Sequence, residues 1–248
     1  VVERLRHEVG WFEEVTHTLP VPELDAPLEL LHLTDVHLRS TGPWLDGLCR
    51  RLRQLKAPDV LVITGDLVTR GWSPEVVEAF LAALPTPRLG AVAILGNWEH
   101  WTDATGDDWR ALLQEHGIRL LVNEVAELGP LRFFGSDDHL AGTADLSLLD
   151  DASTHPTIAL THSPAHFPEV ARKEVALVLA GHTHAGQMRV PVLGVPWVPK
   201  GSDHFIGGWY RHGGTWLHVS PGLGWSIAPV RLWCPPELSR IRLVPDPS

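Results

Sequence analysis

From Leu28 onward the chain alternates short apolar runs with stretches of helical spacing. Leu28–Leu33, Val60–Ile63 and Ala91–Leu95 are nearly continuous apolar runs, the pattern of strands buried on both faces. Between them, Trp44–Lys56 and Pro74–Leu84 carry helical periodicity. Pro74 suits a first helical turn, with Ser73 as its cap. Asp107–His116 reads as a third helix, closed by Gly117. Ile118–Val122, Leu131–Gly135, Ile158–Thr161 and Val175–Ala180 are further strands. This alternation predicts an α/β fold with a largely buried sheet. After Gly181 the chain is rich in Gly, Pro and Trp, and reads as loops and short strands; Trp216–Ser220 and Arg240–Val244 are expected to close the fold. The opening 27 residues, interrupted by Pro20, Pro22 and Pro27, read as an N-terminal arm or edge segment. No linker divides residues 28–248, which are expected to form a single domain.

Composition narrows the classes. With 44% hydrophobic and 20% charged residues over 248 positions, the chain can bury a core without disulfide support. Its two cysteines, Cys49 and Cys234, define neither a disulfide framework nor a cysteine zinc site. The formal charge of −10 argues against a nucleic-acid scaffold role. A phosphate substrate stays compatible with it, because bound cations would dominate the local field. No apolar run reaches the roughly 18–20 residues of a membrane span, and the start has no signal-peptide pattern. The chain begins at Val1, so an N-terminal membrane anchor ahead of it stays open, as does the choice between a membrane-associated and a cytoplasmic setting.

Fifteen histidines direct attention to metals. Five strands run into metal-type side chains: Leu30–Thr34 into Asp35 and His37, Val60–Thr64 into Gly65 and Asp66, Ala91–Leu95 into Gly96 and Asn97, Ile158–Thr161 into His162, and Val175–Ala180 into Gly181, His182 and His184. In α/β sheets ligands collect at the carboxyl ends of strands. A mixture of carboxylate, amide and imidazole donors suits divalent Mn, Fe or Zn. Glycines before Asp66, Asn97 and His182 allow tight turns or close approach. Each motif alone has an ordinary reading: a turn cap for Asp35, a satisfied core histidine for His162 or His184. A second Asp-x-His triplet, Asp137-Asp138-His139, reads as a loop.

The ordered set Asp-x-His, Gly-Asp, Gly-Asn, lone His and Gly-His-x-His, from about Leu30 to Gln187, resembles the calcineurin-like metallophosphoesterase family. The resemblance implies a four-layer α/β/β/α sandwich of two mixed sheets flanked by helices. It implies two divalent metal ions about 4 Å apart, Mn first, with Fe or Zn as alternatives. Asp35, His37, Asp66 and His184 would hold one; Asp66, Asn97, His162 and His182 would hold the other, with Asp66 as the bridge. The extended Gly181–Gln187 motif, Val219–Gly224, Arg231 and Cys234–Glu237 are similar to a membrane-associated phosphodiesterase branch that includes UDP-diacylglucosamine-type hydrolases.

The implied reaction is attack of a metal-bridging hydroxide on a phosphodiester, which some relatives carry on a lipid. A phosphomonoesterase or protein phosphatase, or a catalytically silent binding module on the same fold, are the alternatives. Trp98 stands where the family has a histidine, leaving the proton donor to His100 or Glu99; His100 also reads as an exposed loop residue. Arg39 replaces a small residue and either faces substrate phosphate or is a solvated arginine. Val195–Lys200, with Phe205, Ile206 and Trp209, is expected either to offer an aromatic surface to acyl chains or membrane, or to pack on the sandwich edge.

Overall fold

The computed structural model describes residues 11–151 and 153–246, so the first ten residues of the expected arm lie outside the described residues. Twelve strands are described, β1 (Glu13–Val21), β2 (Leu28–Leu33), β3 (Val60–Thr64), β4 (Gly90–Ile94), β5 (Ile118–Leu120), β6 (Glu124–Leu128), β7 (Leu131–Gly135), β8 (Thr157–Leu160), β9 (Leu177–Ala180), β10 (Gly208–His212), β11 (Thr215–Val219) and β12 (Glu237–Pro245). They form two six-stranded sheets, ordered β1-β12-β2-β3-β4-β5 and β10-β11-β9-β8-β7-β6. Both sheets are mixed: β2 to β5 run parallel while β12 opposes β2, and β7, β8, β9 and β11 run parallel while β6 and β10 oppose their neighbours.

The helices are α1 (Pro43–Leu52), α2 (Pro74–Leu81), α3 (Asn97–His100), α4 (Gly106–Glu115) and α5 (Phe167–Val170). Strand alternation sorts the core into layers. Val60 and Val62 of β3 face the other sheet, packing with Leu30 and Val92 of their own sheet and with Phe133, Ile158 and Leu179 of the facing one. Leu61 and Ile63 point the opposite way and pack with Leu48 and Leu52 of α1, Val77 and Phe80 of α2, and Trp109 and Leu113 of α4. On the far side, Phe167 and Val170 of α5 cover Ala159, Val178, Leu217 and Val219. The result is the four-layer α/β/β/α sandwich. Strands this apolar on both faces require cover on both faces, which the helices supply.

Three strands were not expected. β1 pairs in parallel with β12, from Glu13 against Glu237 to Val21 against Pro245. Only Leu19 and Val21 reach the inter-sheet core, so its apolar alternation is thin. β6 and β10 are edge strands with little apolar signal. α1 stops at Leu52, short of the expected Lys56. Ser73 occupies the cap position of α2, yet its hydroxyl donates to Glu75 Oε2 at 3.3 Å and caps no backbone N–H. Gly117 ends α4 in the left-handed region, with its N–H on Gln114 O.

Candidate metal centre

The carboxyl ends of β2, β3, β4, β8 and β9 deliver Asp35, His37, Asp66, Asn97, His162, His182 and His184 to one buried place between the sheets. The backbone there is bent sharply. Asp35, His37, Asp66, His182 and His184 all have φ between 51° and 68°. Non-glycine residues in this region cost about 1–3 kcal/mol each and persist where the surroundings over-determine them. Gly65, at φ 86°, turns β3 into Asp66. Gly96 is needed for space instead: a Cβ there would run into the Asp66 carboxylate and the His162 ring.

Two donor groups result. In the first, His37 Nε2 lies 2.9 Å from His184 Nε2, and Asp35 Oδ1 is 3.4 Å from His184 Nε2 and 3.9 Å from His37 Nε2. In the second, His162 Nε2 is 3.1 Å from Asp66 Oδ2 and 3.3 Å from His182 Nδ1, which is 3.0 Å from Asn97 Oδ1. Asp66 Oδ2 is also 3.8 Å from His37 Nε2, so one carboxylate oxygen faces both groups.

The outer partners aim these atoms inward. His162 Nδ1 donates to Thr64 O at 2.7 Å, and His182 Nε2 donates to Lys200 O at 2.7 Å. Each bond fixes a tautomer whose other nitrogen presents a lone pair to the site. His37 Nδ1 pairs with Thr69 Oγ1 at 2.7 Å. Asp35 Oδ2 accepts from Thr34 Oγ1 and the His182 N–H, while its Oδ1 is buried and has no hydrogen-bond partner. Asp66 Oδ1 accepts from the Trp98 N–H, which leaves Oδ2 for the centre.

The electrostatics ask for a cation. Burial, with the Asp66 charge beside it, pushes Asp35 up to about 7, against the pull of His162. Burial holds His37 down to about 4, and His184 and His182 below the ordinary range. Burial opposes charge on His162 too, yet Asp66 and then Asp35 raise it well above 6.5. The carboxylates thus favour positive charge at this place. A divalent cation fits that place, because neutral imidazoles, carboxylates and an amide oxygen form a donor set for Mn, Fe or Zn. Asp35 Oδ1, buried without a donor, is the atom that such an ion would satisfy.

Glu99 has a structural part that its sequence position did not disclose. It is buried, and its carboxylate accepts four backbone N–H groups: Leu67 at 2.7 Å and Val68 at 3.3 Å on Oε1, Asp66 at 2.8 Å and Gly96 at 2.7 Å on Oε2. It clamps the two turns that carry Asp66 and Asn97. Burial and the Asp66 charge push it up to about 7, against those donors. With all its lone pairs engaged, it is not free to act as a proton donor.

His100 lies three residues after Asn97 on α3, hence on the same face. Its Nε2 is 2.8 Å from Asp137 Oδ1. Asp137 belongs to the second Asp-x-His triplet, which is indeed a loop, but one that follows β7 and so forms a sixth strand end beside the site. Arg39 turns elsewhere. Its Nη2 donates to Trp225 O at 3.0 Å and Ser226 O at 2.5 Å, and its guanidinium covers the Trp225 ring at 5.1 Å. It latches the loop that carries Trp225 and Ser226.

The expected aromatic surface is also redrawn. Phe205 is buried against Phe167 and Tyr210, and Trp209 contacts His17 and His218. Trp197, within the expected stretch, is exposed, and so are Val192, Leu193, Ile227, Val230 and Trp233 on the segments that follow His184 and Leu223. Gln187 joins these segments: its amide donates to Ala228 O and Val230 O, and its carbonyl oxygen accepts the Ser226 N–H. No described helix is long and apolar enough to cross a membrane.

Comparison with known proteins gives a consistent picture. The family model described as calcineurin-like phosphoesterase matches residues 28–186. The chain is 30% identical over 256 residues to phosphodiesterase YaeI of Escherichia coli, covering 96% of this chain and 90% of that protein. It is 31% identical to a bovine transmembrane protein with metallophosphoesterase domain, of which it spans 56%. Among solved structures, TT1561 of Thermus thermophilus aligns over 79% of this chain and 90% of its own, with a TM-score of 0.50 at 15% identity, a likeness of fold.

Proposed function

The chain belongs to the calcineurin-like phosphoesterase family and is a metal-dependent phosphoesterase, and from that premise we propose that it cleaves phosphodiesters at a dinuclear centre held by Asp35, His37, Asp66, Asn97, His162, His182 and His184. The observation that carries this reading is the convergence of two three-residue donor groups, Asp35–His37–His184 and Asp66–His162–His182, on one Asp66 oxygen. Bound there, two divalent cations, Mn first and Fe or Zn next, would supply Lewis-acid polarisation of the phosphoryl group and an activated nucleophile.

The chain's own groups do the rest. The Thr64 and Lys200 carbonyls hold the His162 and His182 rings in their working tautomers. Glu99 keeps the Asp66 and Asn97 turns in register. Trp98, edge-on to His37 with ring centroids 5.8 Å apart, forms a wall beside the centre. His100 protonates the departing oxygen, a contribution of about 10²–10⁴-fold for an alkoxide leaving group.

Diester rather than monoester cleavage is supported by the name of the Escherichia coli relative. A lipid-linked diester is supported by the exposed Val192, Leu193, Trp197, Ile227 and Trp233, since protruding Trp and aliphatic side chains suit a membrane interface. The test is a hydrolysis panel with Mn present: a nitrophenyl monoester, a nitrophenyl diester, nucleotides, and a lipid-linked diester with its deacylated analogue. Faster turnover of diesters, and of the acylated one, is expected. Preference for the monoester would overturn the diester reading, and equal rates on the acylated pair would overturn the lipid reading.

A further inference from the structure

The mechanism above leaves the Asp137 loop, which lies beside the site, unused. Resting on that reading of His100 as the acid, we propose that Asp137 is a positioning residue, which orients the His100 ring so that Nδ1 faces the leaving oxygen.

The loop is built to hold one carboxylate still. Asp137 Oδ1 accepts the Asp138 N–H at 2.8 Å, and Oδ2 accepts the Thr143 N–H at 2.8 Å. The Asp137 N–H in turn donates to Asn123 Oδ1 at 3.0 Å. Asn123 also takes the Asp145 N–H and donates to Thr143 O, so a single amide pins both ends of the loop. Gly142 closes it tightly, because a Cβ there would meet the Asp137 carboxylate. The ring is anchored just as firmly on the opposite side. α3 is tied to the centre through the Trp98 N–H on Asp66 Oδ1 and through the Glu99 clamp.

The bond to Asp137 places one ring proton on Nε2. His100 Nδ1 has no hydrogen-bond partner among the described residues, so it is left for the substrate. In the cationic ring Nδ1 carries the second proton. As the ester P–O bond breaks, its electron pair goes to the leaving oxygen and the Nδ1 proton follows. His100 then remains neutral, with Nε2–H still on Asp137. Water provides the oxygen of the new P–O bond and releases one proton, which recharges the ring. The groups that act on His100 are Asp137, by hydrogen bond and by charge, then Asp138 and Glu99. All three are acidic and favour the cation, against the partial burial of the ring, which opposes it.

The experiment uses Asp137→Asn, His100→Ala and the double variant. NMR titration of the His100 ring in metal-free protein should show a lower midpoint in Asp137→Asn, a readout that a purely structural loop would not move. Turnover of a diester with an alkyl leaving group should fall roughly ten- to a hundredfold in Asp137→Asn, while the nitrophenyl diester is nearly unaffected. The double variant should be no slower than His100→Ala. An unchanged titration midpoint, an equal fall for both leaving groups, or a double variant slower than His100→Ala would each overturn the proposal. Should His100→Ala itself show no dependence on leaving group, the acid assignment fails, and with it the catalytic use of Asp137. A lowered midpoint would then show that the ring and carboxylate are nonetheless paired.

Discussion

Replacing Glu99 by Gln swaps one carboxylate oxygen for an NH2 inside a cradle of four backbone N–H donors. Leu67 and Val68 share one oxygen, and Asp66 and Gly96 share the other. Whichever way the amide turns, two buried donors lose their acceptor and face another donor. An unsatisfied buried donor costs about 1–3 kcal/mol, so a loss of about 3 kcal/mol is a low expectation. In a chain of 248 residues, each kcal/mol lowers Tm by roughly 2–4 °C; the fall should be roughly 6–12 °C. Thermal unfolding of metal-free protein followed by circular dichroism reads it without interference from bound ions. Metal affinity should fall as well, because the same turn carries Asp66. A Tm within about 2 °C of wild type would refute the clamp.

His100→Ala should slow an alkyl-leaving diester by about 10²–10⁴-fold and a nitrophenyl diester far less, measured as steady-state rates. The Asp137 hydrogen bond raises His100 above its ordinary 6.5, so the folded state binds that proton more tightly than the unfolded state. The stability from this pair is therefore fully present below pH 6.5 and is lost as pH rises through the raised folded value. Urea midpoints of wild type and Asp137→Asn should then differ more at about pH 5 than at about pH 9. Changing Val192 and Leu193 together to Ser should weaken binding to phosphatidylcholine vesicles, read by sedimentation, and leave turnover of a water-soluble diester unchanged.

Much of this was legible because the chemistry rides on the fold's own periodicity. β2, β3, β4, β8 and β9 are apolar enough to be read as buried strands, and each ends in a metal-type side chain. Strand ends in a parallel sheet fall on one edge, so the order of motifs already implied a common site. What stayed hidden depends on distant partners. β1 has few apolar positions and becomes a strand through pairing with β12, more than two hundred residues away. Glu99 reads as a candidate proton donor until the β3 turn folds over it and its backbone N–H groups occupy the carboxylate. Asp137 is found through β7, whose end is a sixth strand end of the same kind. Arg39 invites a phosphate, and only the Trp225 and Ser226 carbonyls show where its guanidinium goes.

The dinuclear assignment is tested most directly at Asp66, whose Oδ2 faces both donor groups. Chelator-stripped wild type and Asp66→Asn would be loaded with Mn, their metal content read by elemental analysis, and their turnover of a nitrophenyl diester compared. The account predicts that wild type retains two Mn per chain and is active, and that Asp66→Asn retains fewer and loses most turnover. Wild-type turnover in Asp66→Asn with unchanged metal content would contradict it.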